Sequence, residues 1–196
     1  MDSRDDIKSE DKNPFYIDHG RRKATSTAHL ALSRVSSLLV IGVGNEFRSD
    51  DAAGIHVARG LESRRFPGVK IIEIGGEGAG LMEKWKDAEA VILIDAVRSG
   101  SDPGTIHRLD AARNKVPSDF FHYSSHAFGV AEAVELSREM GKIPASVVIY
   151  GIEGKDFGQR IGLSPEVTMS VKAVIEIIEV EIESLMGFER KRRRAI

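Results

Sequence analysis

Asp50 and Asp51 lie side by side, just after an apolar run, Ser37-Leu-Leu-Val-Ile-Gly-Val43, and a glycine turn, Gly44-Asn45. Neighbouring carboxylates repel each other unless one is protonated or a cation sits between them. A helix start is the milder alternative, because its dipole favours each carboxylate by ~0.3–1 kcal/mol. Ser49, Asp50 and Asp51 therefore read either as caps or as the acid part of a site. Asp95 follows a second apolar run, Ala90-Val-Ile-Leu-Ile94. An ionised carboxylate there is costly unless it is hydrogen-bonded, paired or metal-bound. His126 stands at an expected helix start, where the dipole disfavours imidazolium and leaves the neutral, metal-binding form. A cap or a packing histidine is the plainer reading. Asp51, Asp95 and His126 each follow, or lie just beyond, a different strand segment, so one sheet edge can gather all three. Such an Asp/Asp/His set suits a borderline divalent ion such as zinc or nickel.

Other chemistries find less support. Gly42-Val-Gly44 after a strand suggests a dinucleotide turn, but Phe47 occupies the third glycine position and acids crowd the helix start, which repels pyrophosphate. No phosphate-binding Gly-x4-Gly-Lys-Ser/Thr motif and no Gly-x-Ser-x-Gly nucleophile motif occurs. The chain contains no cysteine, which excludes disulfides and thiolate nucleophiles and leaves carboxylate, imidazole or amide groups to hold any metal. His19 and His29 fall in a loosely patterned N-terminus, His56 within a helix and His107 on an edge strand, while His122 is a reserve ligand near His126. Glu153 ends a further strand near the same edge, as a surface group or a wall residue.

The elements that must position these groups alternate. Strands are expected over Ser37–Val43, Val69–Ile74, Ala90–Ile94, Thr105–Leu109 and Ala145–Tyr150, with Asp95 stopping the third. Helices are expected over Asp51–Leu61, Leu81–Ala88, His126–Met140 with Ser125 as N-cap, and Pro165–Met186 opened by Ser164. Val167, Val171, Val174, Ile175, Ile178 and Ile182 give the last helix a strong apolar stripe. This alternation predicts an α/β fold: a three-layer α/β/α sandwich around a mainly parallel sheet.

With 196 residues, 41% hydrophobic and 30% charged, the chain suits one globular domain at 37–186. Residues 1–36 read as a poorly ordered extension without the apolar core of a signal peptide, and 187–196 as a basic tail around Arg190-Lys-Arg-Arg-Arg194. A net charge of −2 gives no pull toward nucleic acid, and no apolar run approaches the ~20 residues that span a bilayer. The lack of disulfides fits a reducing cytoplasm.

Gly42-x-Gly44-Asn45-x4-Asp50-Asp51-x2-Gly54, Ile94-Asp95-Ala96, His126, Gly151-Ile-Glu153 and Gly162-Leu-Ser-Pro-Glu166 together resemble the hydrogenase maturation endopeptidases. The resemblance runs from about Leu38 to Ile182. It implies a cytoplasmic enzyme with a twisted sheet of about five strands. Its implied reaction removes a C-terminal peptide from the precursor of a nickel-iron hydrogenase large subunit, after nickel insertion. Carried over by motif position, Asp51, Asp95 and His126 are the nickel-binding and catalytic residues. Many relatives have Glu at the position of Asp51, so the shorter side chain sets tighter geometric demands. Gly42, Gly44, Asn45 and Asp50 are then the substrate-side turn. Nickel comes with the precursor, and the free protein holds metal weakly or not at all. Two rivals remain at this point: a chaperone that inspects the metal centre without cutting, and a same-fold peptidase acting on another precursor. A small-molecule-binding α/β module ranks below both for want of a phosphate loop.

Overall fold

The structure, a computed structural model, describes residues 35–75, 80–117 and 129–187. Leu38–Val43 forms β1, a single 3-10 turn covers Ser49–Ala52, and Ala53–Glu62 forms α1. Val69–Ile74 is β2, Leu81–Trp85 is α2, Ala90–Val97 is β3 and Ile106–Asp110 is β4. Val130–Glu139 is α3, Ser146–Glu153 is β5 and Pro165–Met186 is α4. The five strands lie in the order β2-β1-β3-β5-β4, with only β4 antiparallel. Helices cover both faces of the sheet, as the three-layer expectation requires. Among the described residues no helix is long and apolar enough to cross a membrane.

Every residue of β1 and β3 is buried, and both read as apolar runs because helices cover them on either side. Alternation along β3 sends Ala90, Ile92, Ile94 and Ala96 to one core, shared with α1 and α4, where Val57, Leu61, Val174 and Ile178 meet them. Val91, Leu93 and Val97 face the other core, shared with Leu81 and Trp85 of α2 and with Val130 and Val134 of α3. α1 packs very close to the sheet. A Cβ on Gly42 would come within 2.3 Å of the Gly54 carbonyl oxygen, and one on Gly54 within 2.3 Å of the Ile94 oxygen. Both positions therefore exclude any side chain.

The differences from the expected boundaries have local causes. β3 runs past Ile94 to Val97, because β5 continues to pair with it as far as Val97↔Glu153 after β1 has ended. Asp95 thus lies inside a strand rather than stopping one. α2 ends at Trp85, three residues early, and the Ala88 N–H closes a turn on the Trp85 carbonyl. Val35 and Ser36, assigned by sequence to the extension, bond to the domain: the Val35 N–H donates to the Leu185 carbonyl, and Ser36 to the Glu89 carboxylate. The rest of the N-terminal extension, the basic tail from 188, His122, Ser125 and His126 lie outside the described residues.

Candidate active site

In an open sheet, the crevice between strands whose connections leave in opposite directions is the place for a ligand, at the strands' carboxyl ends. Here that place is between β1 and β3. The chain leaves β1 for β2 on one side and returns across β1 to β3 on the other. Asp51 and Asp95 stand at this point.

Gly44 opens the β1–α1 turn with a φ of +150°, and a Cβ there would lie 1.9 Å from the Asp51 carbonyl oxygen. The Asn45 N–H donates to that same oxygen at 3.3 Å, and the Asn45 Oδ1 accepts the Phe47 N–H at 2.9 Å. Gly42, Gly44 and Asn45 thereby fold the turn. Gly42 and Gly44 are buried and shape the path of the backbone, whereas Asn45 is exposed.

Asp50, expected on the substrate side of the turn, has internal partners. It is fully buried, and its Oδ2 accepts the N–H groups of Lys155 at 2.8 Å and Asp156 at 2.9 Å. Its Oδ1 accepts the Ser164 N–H at 2.6 Å. A carboxylate so occupied is an internal anchor for the 154–164 loop. Ser49 reinforces it from a strained position, with φ at +52°. Its N–H donates to the Arg160 carbonyl at 2.7 Å and its hydroxyl to the Gly162 carbonyl at 3.1 Å. Ser164 opens α4 as expected, yet its hydroxyl makes no cap, and its peptide N–H is what matters.

Asp51 is oriented the other way. Its side chain is partly exposed, and Oδ2 lies 3.9 Å from Nη1 of Arg48, three residues earlier. Asp95 is 7% exposed and shares the sheet face of Val91, Leu93 and Val97, toward α3. Burial holds its carboxyl well above the usual range and the charge of Asp51 adds to this, while the Ala96 N–H, donating to Oδ1 at 2.8 Å, acts against them. Its register partner on β5 is Gly151, which brings no side chain to that face. Within the pair it is Asp95 that favours the proton, while Asp51 has Arg48 nearby.

α3 points its N-terminus toward this edge. Near its other end, Arg138 donates to the carbonyls of Ala111, Ala112 and Asn114, and Glu135 accepts the Val116 N–H, all beyond the far end of β4. His126 precedes Gly129, the residue before α3, by three positions. Among the described residues no three His, Cys, Asp or Glu side chains gather as a metal set. Asp51 and Asp95 are brought together.

Glu153 is buried at 2% exposure, not a surface group. It accepts the N–H and hydroxyl of Ser99, the N–H of Gly100 at 3.0 Å and a contact from His107 Nε2 at 3.3 Å. It thereby anchors the loop after β3, as Asp50 anchors the loop after β5. Nothing in the local pattern announced these roles, since every partner is distant in sequence.

A five-stranded, mostly parallel α/β domain with an acid pair at its switch point defines a class, and known proteins resolve it. Residues 55–181 match the family model of hydrogenase maturation proteases. A protein of Methanocaldococcus jannaschii placed among the hydrogenase maturation proteases is 33% identical over 152 residues, covering 74% of this chain and 96% of that one. The hydrogenase 2 maturation protease of Escherichia coli is 29% identical over 163 residues, covering 81% and 98%. The solved structure of the E. coli hydrogenase-maturating endopeptidase HybD is similar with a TM-score of 0.63 at 26% identity, over 75% of this chain and 92% of that one. The chain belongs to the hydrogenase maturation protease family and is an endopeptidase. This decides against the non-catalytic chaperone and the small-molecule module.

Proposed function

We propose that this endopeptidase removes the C-terminal extension of a nickel-iron hydrogenase large-subunit precursor once that precursor carries nickel. The observation that carries the proposal is the acid pair. Asp95 is buried, with its carboxyl held well above its ordinary range by that burial and by the charge of Asp51, so the pair offers oxygen ligands to a divalent cation brought to it. In this reading the nickel belongs to the substrate, and Asp51, Asp95 and His126 recognise it. The metal would polarise the scissile carbonyl or a water near it. The chain's own residues would orient the precursor, and Asp95, whose burial favours its neutral form, would release its proton to water where the cation takes that proton's place. The Asp50 and Glu153 anchors hold the loops on either side of that event.

The reading places the protein in the cytoplasm, a compartment suited to a chain without cysteine. The free protein binds divalent ions weakly, because its few ligands leave most of the coordination sphere to the precursor. Calorimetry of free protein with nickel is expected to show no submicromolar affinity.

The decisive experiment is an intact-mass assay of purified precursor, nickel-loaded and nickel-free, mixed with this protein. Loss of a C-terminal fragment from the nickel-loaded form alone is expected. Cleavage of both forms would remove the metal-recognition role of Asp51, Asp95 and His126, and cleavage of neither would reject the substrate.

A further inference from the structure

Two large apolar side chains stand out in water on the two loops that meet at Ser49 and Asp50. Phe47 is 66% exposed and Ile161 is 77% exposed. Phe47 belongs to the turn that ends at Asp51, and Ile161 to the 154–164 loop held by Asp50. The two loops are laced together next to these residues. Arg48 and Arg160 form a parallel bridge, the Ser49 N–H reaches the Arg160 carbonyl, and the Arg160 Nε donates to the Ser49 hydroxyl at 3.2 Å. The Asp50 N–H adds a bond to the Asp156 carbonyl at 3.0 Å.

Apolar groups this exposed on a scaffold tied this firmly mark a contact surface, since the hydrogen bonds between the two loops leave little freedom to bury them. An endopeptidase must hold a polypeptide across its reacting groups, and binding energy from residues remote from the bond is what sets that position. Phe47 lies on the same turn as Asp51, four residues before it. Asp51 itself supplies charge and leaves apolar grip to its neighbours.

We propose that Phe47 and Ile161 form a docking rim for the precursor, gripping an apolar stretch of its polypeptide beside the bond to be cut. This rests on the precursor-processing reading and adds to it the surface that selects the polypeptide. The rim binds chain rather than metal, so it acts on precursor affinity whether or not nickel is present.

The test compares wild-type protein with Phe47→Ser, Ile161→Ser and the double variant, using purified precursor. Each single change is expected to raise KM about tenfold with kcat held, the effect of an interface anchor of ordinary strength. Phe47→Leu should restore most of the loss, and all variants should melt with the wild type, because both side chains are exposed. Equilibrium binding of nickel-free precursor is measured in parallel and should weaken by a similar factor. Unchanged KM and binding in the double variant would overturn the proposal while leaving cleavage intact. A fall in kcat alone would overturn it too, by assigning the rim to catalysis. If light scattering shows a wild-type dimer that the double variant converts to monomer, the rim's occupant is a second copy and the proposal fails. If wild-type protein binds precursor without cutting it, the processing reading fails, and the binding series still decides the rim. No binding by wild-type protein overturns both.

Discussion

Asp50 and Asp51 are chemically the same and adjacent, yet one is fully buried among backbone donors and the other is partly exposed beside Arg48. The difference lies in what each carboxylate finds around it. Three backbone N–H groups converge on Asp50. Asp50→Ala leaves those donors unpaired in a buried place, at ~1–3 kcal/mol for each. Chemical denaturation should therefore show a loss of about 3 kcal/mol or more, with activity falling as the 154–164 loop loosens. Asp95 should behave in the opposite way. Burial and the charge of Asp51 favour its protonated form, so the ionised group weighs against the folded state at neutral pH. Asp95→Asn keeps the shape and removes that conflict. Its melting temperature should exceed that of the wild type at pH 7, while cleavage of precursor is lost. A variant that melts lower would show that Asp95 is already compensated in the free protein.

At the scale of elements, the site depends on how closely α1 meets the sheet. Gly54 rests against the carbonyl oxygens of Ile94 and Val43, where a Cβ would come within 2.3 and 2.4 Å. Backbone cannot yield as a flexible side chain does, so Gly54→Ala should cost at least the ~1–3 kcal/mol of an overpacked core. It should also lift α1 and carry Asp51 away from Asp95, which precursor cleavage would register as a loss beyond that expected from stability. The elements themselves were legible from periodicity: β2 and α4 lie where their apolar patterns end, and β1 and β3 begin within a residue of expectation. The acid pair was legible because each aspartate directly follows a strong apolar run or its turn. The course of β3 beyond Ile94 was not, because a polar residue ends a hydrophobic run without ending its hydrogen-bond ladder. The anchoring parts of Asp50 and Glu153 were hidden for a related reason. Both work through N–H groups far along the chain, and any residue can supply a backbone N–H.

For the whole molecule, two buried acids of opposite temper sit on one face of the sheet, and acid should separate them. Burial by itself raises the Glu153 carboxyl, but hydrogen bonds from His107, from Ser99 through its side chain and backbone, and from Gly100 outweigh it and leave the group below its ordinary value of 4.5. A carboxyl lowered by folding stabilises the native state above its unfolded pKa, and that contribution disappears as pH falls through the native one. Asp95 has the reverse sign: its preference for the proton contributes fully below 3.8 and is lost as pH rises through its raised native value. On acidification from neutral pH, Asp95 should first add stability, and Glu153 should then withdraw it below about 4.5, the ordinary carboxyl value. Glu153→Gln removes the charge and leaves one amide oxygen for the Ser99 and Gly100 donors. Its melting temperature should lie below that of the wild type at pH 7, and the gap should close as pH falls below 4.5. A gap that stays constant across this range would mean that Glu153 anchors the loop by shape alone and that its charge contributes nothing to the fold.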